Sequence, residues 1–205
     1  MRTQIQVMLD LQDAMNTKVH SSWREQNFEW YRAIWIECAE LMDHYGWKWW
    51  KKQTPDIEQV KLEVIDIWHF GLSMLLVDAV SADFIEKELA SALEVAPQTS
   101  FHKAVEVFAG GTLTTQQFSI ETFVGLMQAT DMSFDALYTG YIGKNVLNLF
   151  RQDNGYKEGS YHKLWGGQED NEHLVEIVQS IDTSSVDFKE VLYKELTNRY
   201  QSLCV

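Results

Sequence analysis

Cysteine, proline and basic residues are all scarce in this 205-residue chain. The two cysteines, Cys38 in an apolar run and Cys204 far from it, have neither metal-ligand spacing nor the density of a disulfide scaffold. A reducing compartment is expected. Only Pro55 and Pro97 interrupt the sequence, which leaves long stretches free to be helical. Lysine and arginine number 17 against 30 acidic residues, a formal charge of −13. That balance argues against a nucleic-acid or anionic-membrane surface, because both partners reward a basic face. Long hydrophobic runs are missing too. The longest, around "LSMLLVDAV", is broken by Asp78, and "MRTQIQVMLDLQDAMN" lacks the apolar core and cleavage site of a signal peptide. These absences point to a cytoplasmic protein.

The 45% hydrophobic content suffices for one sizeable core, and apolar residues recur mostly at three- and four-residue spacing. An all-α helical bundle is therefore expected. Helices are expected over residues 4–18, 28–45, about 56–77, 82–95, 102–109, after "TTQQ" (114–117), and over 133–152 and 184–203. Gly46 is expected to end the second. Thr54-Pro55 reads as an N-cap with proline at the first helical position, and Thr114 and Gln117 have capping-box spacing. "AGGTLTT" (109–115) reads as the clearest loop in the middle, with room for a short strand at 112–115. Residues 151–171 read as a long polar loop with a turn at Asn154-Gly155. One domain is expected, its core built from about 1–80 and 132–205, with 81–131 a helical insert or mobile lobe.

Chemistry concentrates in "IECAELMDHYGWKWWKK" (36–52), where Glu37 and Glu40 sit three apart among apolar residues, and in "LEVIDIWHF" (62–70), where Glu63 and Asp66 do the same. Residues at i and i+3 share a helix face, so each helix presents two carboxylates along one stripe. Packing the helices as a hairpin across the 22 residues between Glu40 and Glu63 brings the stripes together. Four facing carboxylates repel unless cations lie between them, and an all-oxygen donor set suits Mg²⁺, with Mn²⁺ as a substitute.

A second group lies in "YIGKNVLNLFRQDNGYKEGSYHKLW" (141–165). Lys144, Asn148 and Arg151 fall on one helical stripe, and Lys157 and Lys163 extend the basic patch through the loop, as phosphate ligands would.

The ExxE and ExxD pair resembles the signature of the all-α nucleoside triphosphate pyrophosphatases, the MazG-like superfamily. With "WKWW", "LQDAMN" and the 141–165 segment, the chain is similar to the dimeric all-α dUTPases. That resemblance implies Mg²⁺-dependent hydrolysis of dUTP, and of dUDP, to dUMP, with release of pyrophosphate or phosphate. Such an enzyme sanitises the nucleotide pool and supplies the dTMP precursor. The resemblance implies that Glu37, Glu40, Glu63 and Asp66 hold Mg²⁺ ions that bridge the phosphates and activate a water, with Glu37 or Glu40 as general base. Lys144, Arg151, Tyr156 and Lys163 would bind the phosphate chain, and a homodimer is implied.

The base must be told from cytosine. A side-chain amide carries both an acceptor and donors, so it can match the uracil edge and mismatch cytosine. Gln12, Asn16 and Asn148 are the amide candidates. Phe70, four after Asp66, continues the carboxylate stripe and could stack on the base, while Trp49 and His69 resemble uracil-pocket positions of the family. Asp66 doubles as a contact to the sugar 3′-hydroxyl.

A related pyrophosphatase acting on dCTP or assorted triphosphates is the alternative reading. "DIWH" also resembles the carboxylate-x-x-His step of di-iron helical bundles, where a second copy is needed. No such partner step is expected, and His44, four after Glu40, is expected to make at most a helix-surface pair. Di-iron chemistry and a non-enzymatic helical interaction protein are distant alternatives.

Overall fold

The computed structural model describes residues 1–95, 99–183, 185 and 187–204, and among them it is helical apart from one small hairpin. Two compact units divide the chain, Met1–Tyr138 and Thr139–Val205. The first contains α1 (Arg2–Val19), α2 (Trp30–Tyr45), α3 (Ile57–Val77), α4 (Ala82–Val95), α5 (Phe101–Thr115) and α6 (Ile120–Ala129), plus the first turn of α7 (Phe134–Asp153). The second holds the rest of α7, strands β1 (Leu164–Trp165) and β2 (Gln168–Glu169), and helices α8 (Asp170–Ser180) and α9 (Phe188–Cys204).

Helix α3 is the centre of the first unit. Val60, Val64, Ile67, Trp68 and Leu72 are sealed from solvent, and the helix packs on both α1 and α2. Trp68 stacks on Phe123 of α6 with ring centroids 5.0 Å apart, and its Nε1 points to Met8 Sδ at 3.3 Å. Gly71 lies against the ring of Phe118: a Cβ there would come within 2.4 Å of it. The close approach of α3 to the α5–α6 connection therefore needs glycine.

The cap of α3 differs from the expected one. Asp56, not Thr54, is the N-cap, and its side chain accepts from Gln59 N. A carboxylate is as good a cap as a hydroxyl, and Asp56 stands directly before the first helical residue. Gly46 does end α2, at φ +97°.

The stretch "AGGTLTT" is helical, not a loop or strand. Phe108 and Thr112 are buried while Gly110 and Gly111 have no neighbour where a Cβ would stand. Packing of α5 on α2 and α6 overrides the helix penalty of about 1 kcal/mol per glycine. The helix stops at Gln116 in the left-handed conformation. Ser119, rather than the Thr114/Gln117 pair, then caps α6 by accepting from Thr122 N.

In the second unit the expected long loop holds real structure. The turn at Asn154-Gly155 forms, with Gly155 at φ +88°. Beyond it, Gly166 and Gly167, both at positive φ, make the two-residue turn between β1 and β2, pairing Leu164 with Glu169 and Trp165 with Gln168. Helix α8, absent from the sequence reading, follows at once through a capping box of Glu169 and Glu172. It buries His173, Leu174 and Ile177 and packs on α9. The expected start of the last helix, at residues 184 and 186, lies outside the described residues, as does Pro97; the described helix begins at Phe188.

Candidate active site

The two acidic helices form an antiparallel pair, because residues late in α2 meet residues early in α3. His44 O accepts from Asp56 N at 2.9 Å, which ties the end of α2 to the start of α3. Across this hairpin one carboxylate oxygen each from Glu37, Glu63 and Asp66 comes within 4.8 Å of the others. Glu63 is only 3% exposed, Glu37 and Asp66 are half-buried, and Glu40 is exposed at the rim. Burial, then repulsion from Asp66, Glu63 and Glu40, pushes the Glu37 carboxyl up to about 9, and a hydrogen bond with Glu63 helps hold the proton. Neighbouring Cys38 is pushed up to about 12, by burial first and by Glu37 second.

This donor set fits a hard divalent cation. It offers only oxygens, from two rigid helices, and it retains a proton where positive charge would otherwise balance it. A second group shares Glu63: one donor atom each of Glu40, His44 and Glu63 also lies within 4.8 Å of the others, with His44 Nε2 3.4 Å from Glu63 Oε1. His44 is thus not confined to a pairing on its own helix. The hairpin brings its ring across to α3, a contact that spacing along α2 does not reveal.

Next to the acidic group on α3, four side chains form a buried polar network. Gln12 Nε2 donates to Asn16 Oδ1 at 3.0 Å and to Ser73 Oγ at 3.2 Å, and Asn16 Nδ2 donates to Ser73 Oγ at 2.9 Å. His69 Nδ1 is 2.8 Å from Gln12 Oε1, and Ser73 donates to the carbonyl of His69. Gln12, Asn16 and His69 are therefore brought together, with Ser73 as a member the sequence reading missed. Its signal was the four-residue step from His69 along one helix face. Phe70 is half-buried beside Trp30, at 6.2 Å between ring centroids. Trp49 stands apart from this network, 90% exposed and edge-on to Trp50.

The remaining candidates lie in the second unit. Lys144 is 2% exposed, and its Nζ donates to Asn171 Oδ1 at 2.9 Å. Arg151 binds Asp170 through Nε (2.7 Å) and Nη2 (2.8 Å), and also donates to Asn148 Oδ1 and Asn171 Oδ1. Tyr161 O–H donates to Asp170 Oδ2 at 2.8 Å. Burial alone would raise the Asp170 carboxyl, but the hydrogen bonds and charge of Arg151, with Tyr161 and Lys144 adding, hold it below the ordinary carboxylate range. The stripe of Lys144, Asn148 and Arg151 is thus the inside of a polar network. Tyr156 and Lys157 are exposed, and Lys163 pairs with Glu169 at 3.4 Å.

A second carboxylate-x-x-His step does exist, contrary to expectation: Asp170 and His173 on α8. Asp170 is engaged by Arg151 and Tyr161, while His173 Nε2 is 2.9 Å from the Trp165 carbonyl and its Nδ1 is 3.3 Å from Arg199 Nη1. The pair is built into packing and hydrogen bonds, unlike a di-iron ligand set.

The family model for dUTPase matches residues 4–156, which spans both acidic motifs and α7. The chain belongs to the all-α dUTPase family. No curated protein matches it. As an all-α dUTPase it hydrolyses dUTP to dUMP, and the helical architecture with converging carboxylates is consistent with that assignment. No helix among the described residues is long and apolar enough to cross a membrane.

Proposed function

We propose that this dUTPase is a Mg²⁺-dependent, cytoplasmic homodimer, able to use Mn²⁺, that acts on dUDP as well as dUTP. Glu37, Glu40, Glu63 and Asp66 form its cation site. The observation that carries this reading is the convergence of Glu37, Glu63 and Asp66 from two packed helices. When bound there, divalent cations clamp phosphate oxygens and lower the pKa of the attacking water. Cations held there would keep the surrounding carboxylates ionised, and Glu37 or Glu40 would then accept a proton from that water at a carboxylate oxygen.

Gln12 and Asn16 read the base. Their amides are held in one orientation by Ser73 and His69, and a fixed acceptor and donor set penalises cytosine because a mismatched buried polar group goes unpaired. Phe70 and Trp49 supply aromatic surface for the base, and Asp66 orients the 3′-hydroxyl. Asn148, Lys144, Arg151, Tyr156 and Lys163 keep the base and phosphate roles the resemblance gives them.

Support for a dimer comes from α2. Trp35 and Ile36 are 52% and 54% exposed on a helix whose other face is buried, the kind of apolar patch that marks an interface. The reducing cytoplasm is supported by Cys38 and Cys204 both being free thiols.

The cation site is tested by Glu37→Gln and Asp66→Asn. Both should fold and lose at least about 100-fold in kcat with Mg²⁺, as removal of a group stabilising the transition state does. Activity within a few-fold of the wild type in either variant would remove that residue from the mechanism.

A further inference from the structure

We propose that His44 is a cation ligand, its Nε2 joining carboxylate oxygens of Glu40 and Glu63 in a nitrogen-containing seat beside the all-oxygen group of Glu37, Glu63 and Asp66. The inference rests on the cation-site reading above and adds to it a ligand of different chemistry, on a residue outside the four-carboxylate motif.

Three observations converge on it. The donor atoms of Glu40, His44 and Glu63 lie within 4.8 Å of one another, a bound that the all-oxygen group also meets. His44 Nε2 stands 3.4 Å from Glu63 Oε1, beyond the roughly 2.8 Å of a good charge-assisted hydrogen bond, so the ring faces the carboxylate without being locked to it. The ring is also available and held in place. Its side chain is 36% exposed, while its backbone carbonyl is tied to Asp56 N at the turn between the two helices.

Glu63 is the hinge of the arrangement. It is almost fully buried and belongs to both groups, so it would be a ligand common to the two seats. An imidazole changes what the second seat selects. Mg²⁺ takes oxygen ligands and keeps its waters, whereas a neutral imidazole favours later divalent ions in the order Mn²⁺, Fe²⁺, Co²⁺. The two seats therefore differ in preference, and His44 sets the difference.

The test uses the full-length protein without nucleotide. Pulsed electron paramagnetic resonance of the Mn²⁺-loaded protein reads nitrogen bonded to the metal directly, and calorimetric titration compares Co²⁺ with Mg²⁺. The wild type should show ¹⁴N modulation that His44→Ala abolishes. Co²⁺ affinity should fall about tenfold in the variant, the scale on which loss of a group supporting a metal site is felt, while Mg²⁺ affinity changes less than about twofold. His44→Gln, a milder change, replaces the alanine variant should that one not fold. Mn²⁺ binding with no ¹⁴N modulation, modulation that survives in the variant, or equal losses for Co²⁺ and Mg²⁺ would overturn the role of His44 and leave the carboxylate site standing. Failure of the wild type to bind Mn²⁺ or Mg²⁺ at all would overturn both.

Discussion

Glu37 and Asp170 are both shielded carboxylates, yet they respond to pH in opposite directions. Glu37 sits among like charges, and its folded pKa of about 9 lies above the unfolded value near 4.3. Its contribution to stability is fully present below about pH 4 and is lost as pH rises through 9. Asp170 is gripped by Arg151 and Tyr161, so its folded pKa lies below the unfolded value near 3.9. Its contribution is present above about pH 4 and is lost as the solution becomes more acidic. Denaturant midpoints measured in EDTA should therefore decline from pH 5 to pH 9 in the wild type and decline less in Glu37→Gln. Asp170→Asn should instead flatten the acid limb and lose several kcal/mol at neutral pH, about 3–5 when a buried partner is left uncompensated. A wild-type midpoint indifferent to pH above 5 would contradict the account of Glu37. The meeting of Glu37, Glu63 and Asp66 was legible in the sequence because i, i+3 spacing fixes a helix face before any fold is known. The meeting of His44 with Glu63, and of Ser73 with Gln12 and Asn16, was not, since those contacts cross from one helix to another.

At the scale of elements, the same limit explains which helices were readable. The helices around both acidic motifs announce themselves by apolar periodicity, and Gly46 marks the end of α2. Helix α5 misleads, because Gly110 and Gly111 look like a loop until Phe108 and Thr112 are seen buried. Helix α8 hides because it follows directly on a polar, glycine-rich stretch and its buried face mixes Leu174 and Ile177 with the polar Asp170, Asn171 and His173. Gly71 gives a test of how tightly α3 is seated. Gly71→Ala should cost about 1–3 kcal/mol by forcing the Phe118 ring aside, despite alanine being the better helix former. A neutral or stabilising result in chemical denaturation would mean that the ring moves freely and that the α3 packing is looser than described.

For the whole molecule, charge and assembly are the properties at stake. A chain of net charge −13 with a carboxylate cluster gains stability from any cation that binds only the folded state, in proportion to the logarithm of its concentration. The exposed Trp35 and Ile36 argue for a partner on α2. Trp35→Glu with Ile36→Glu should convert a dimer to a monomer in light scattering, and a wild type that runs as a monomer throughout would remove the homodimer from the account. Assembly is the property least legible in the sequence, because the same apolar residues read equally well as core.

The most direct measurement is turnover of the purified protein with Mg²⁺ against dUTP, dUDP, dCTP, dTTP and UTP, following the nucleoside monophosphate by chromatography. Strong preference for dUTP and dUDP, abolished by EDTA, is the expected result and would establish the uracil pocket and the cation site together. Activity centred on dCTP, spread evenly over the panel, or unaffected by EDTA would contradict it.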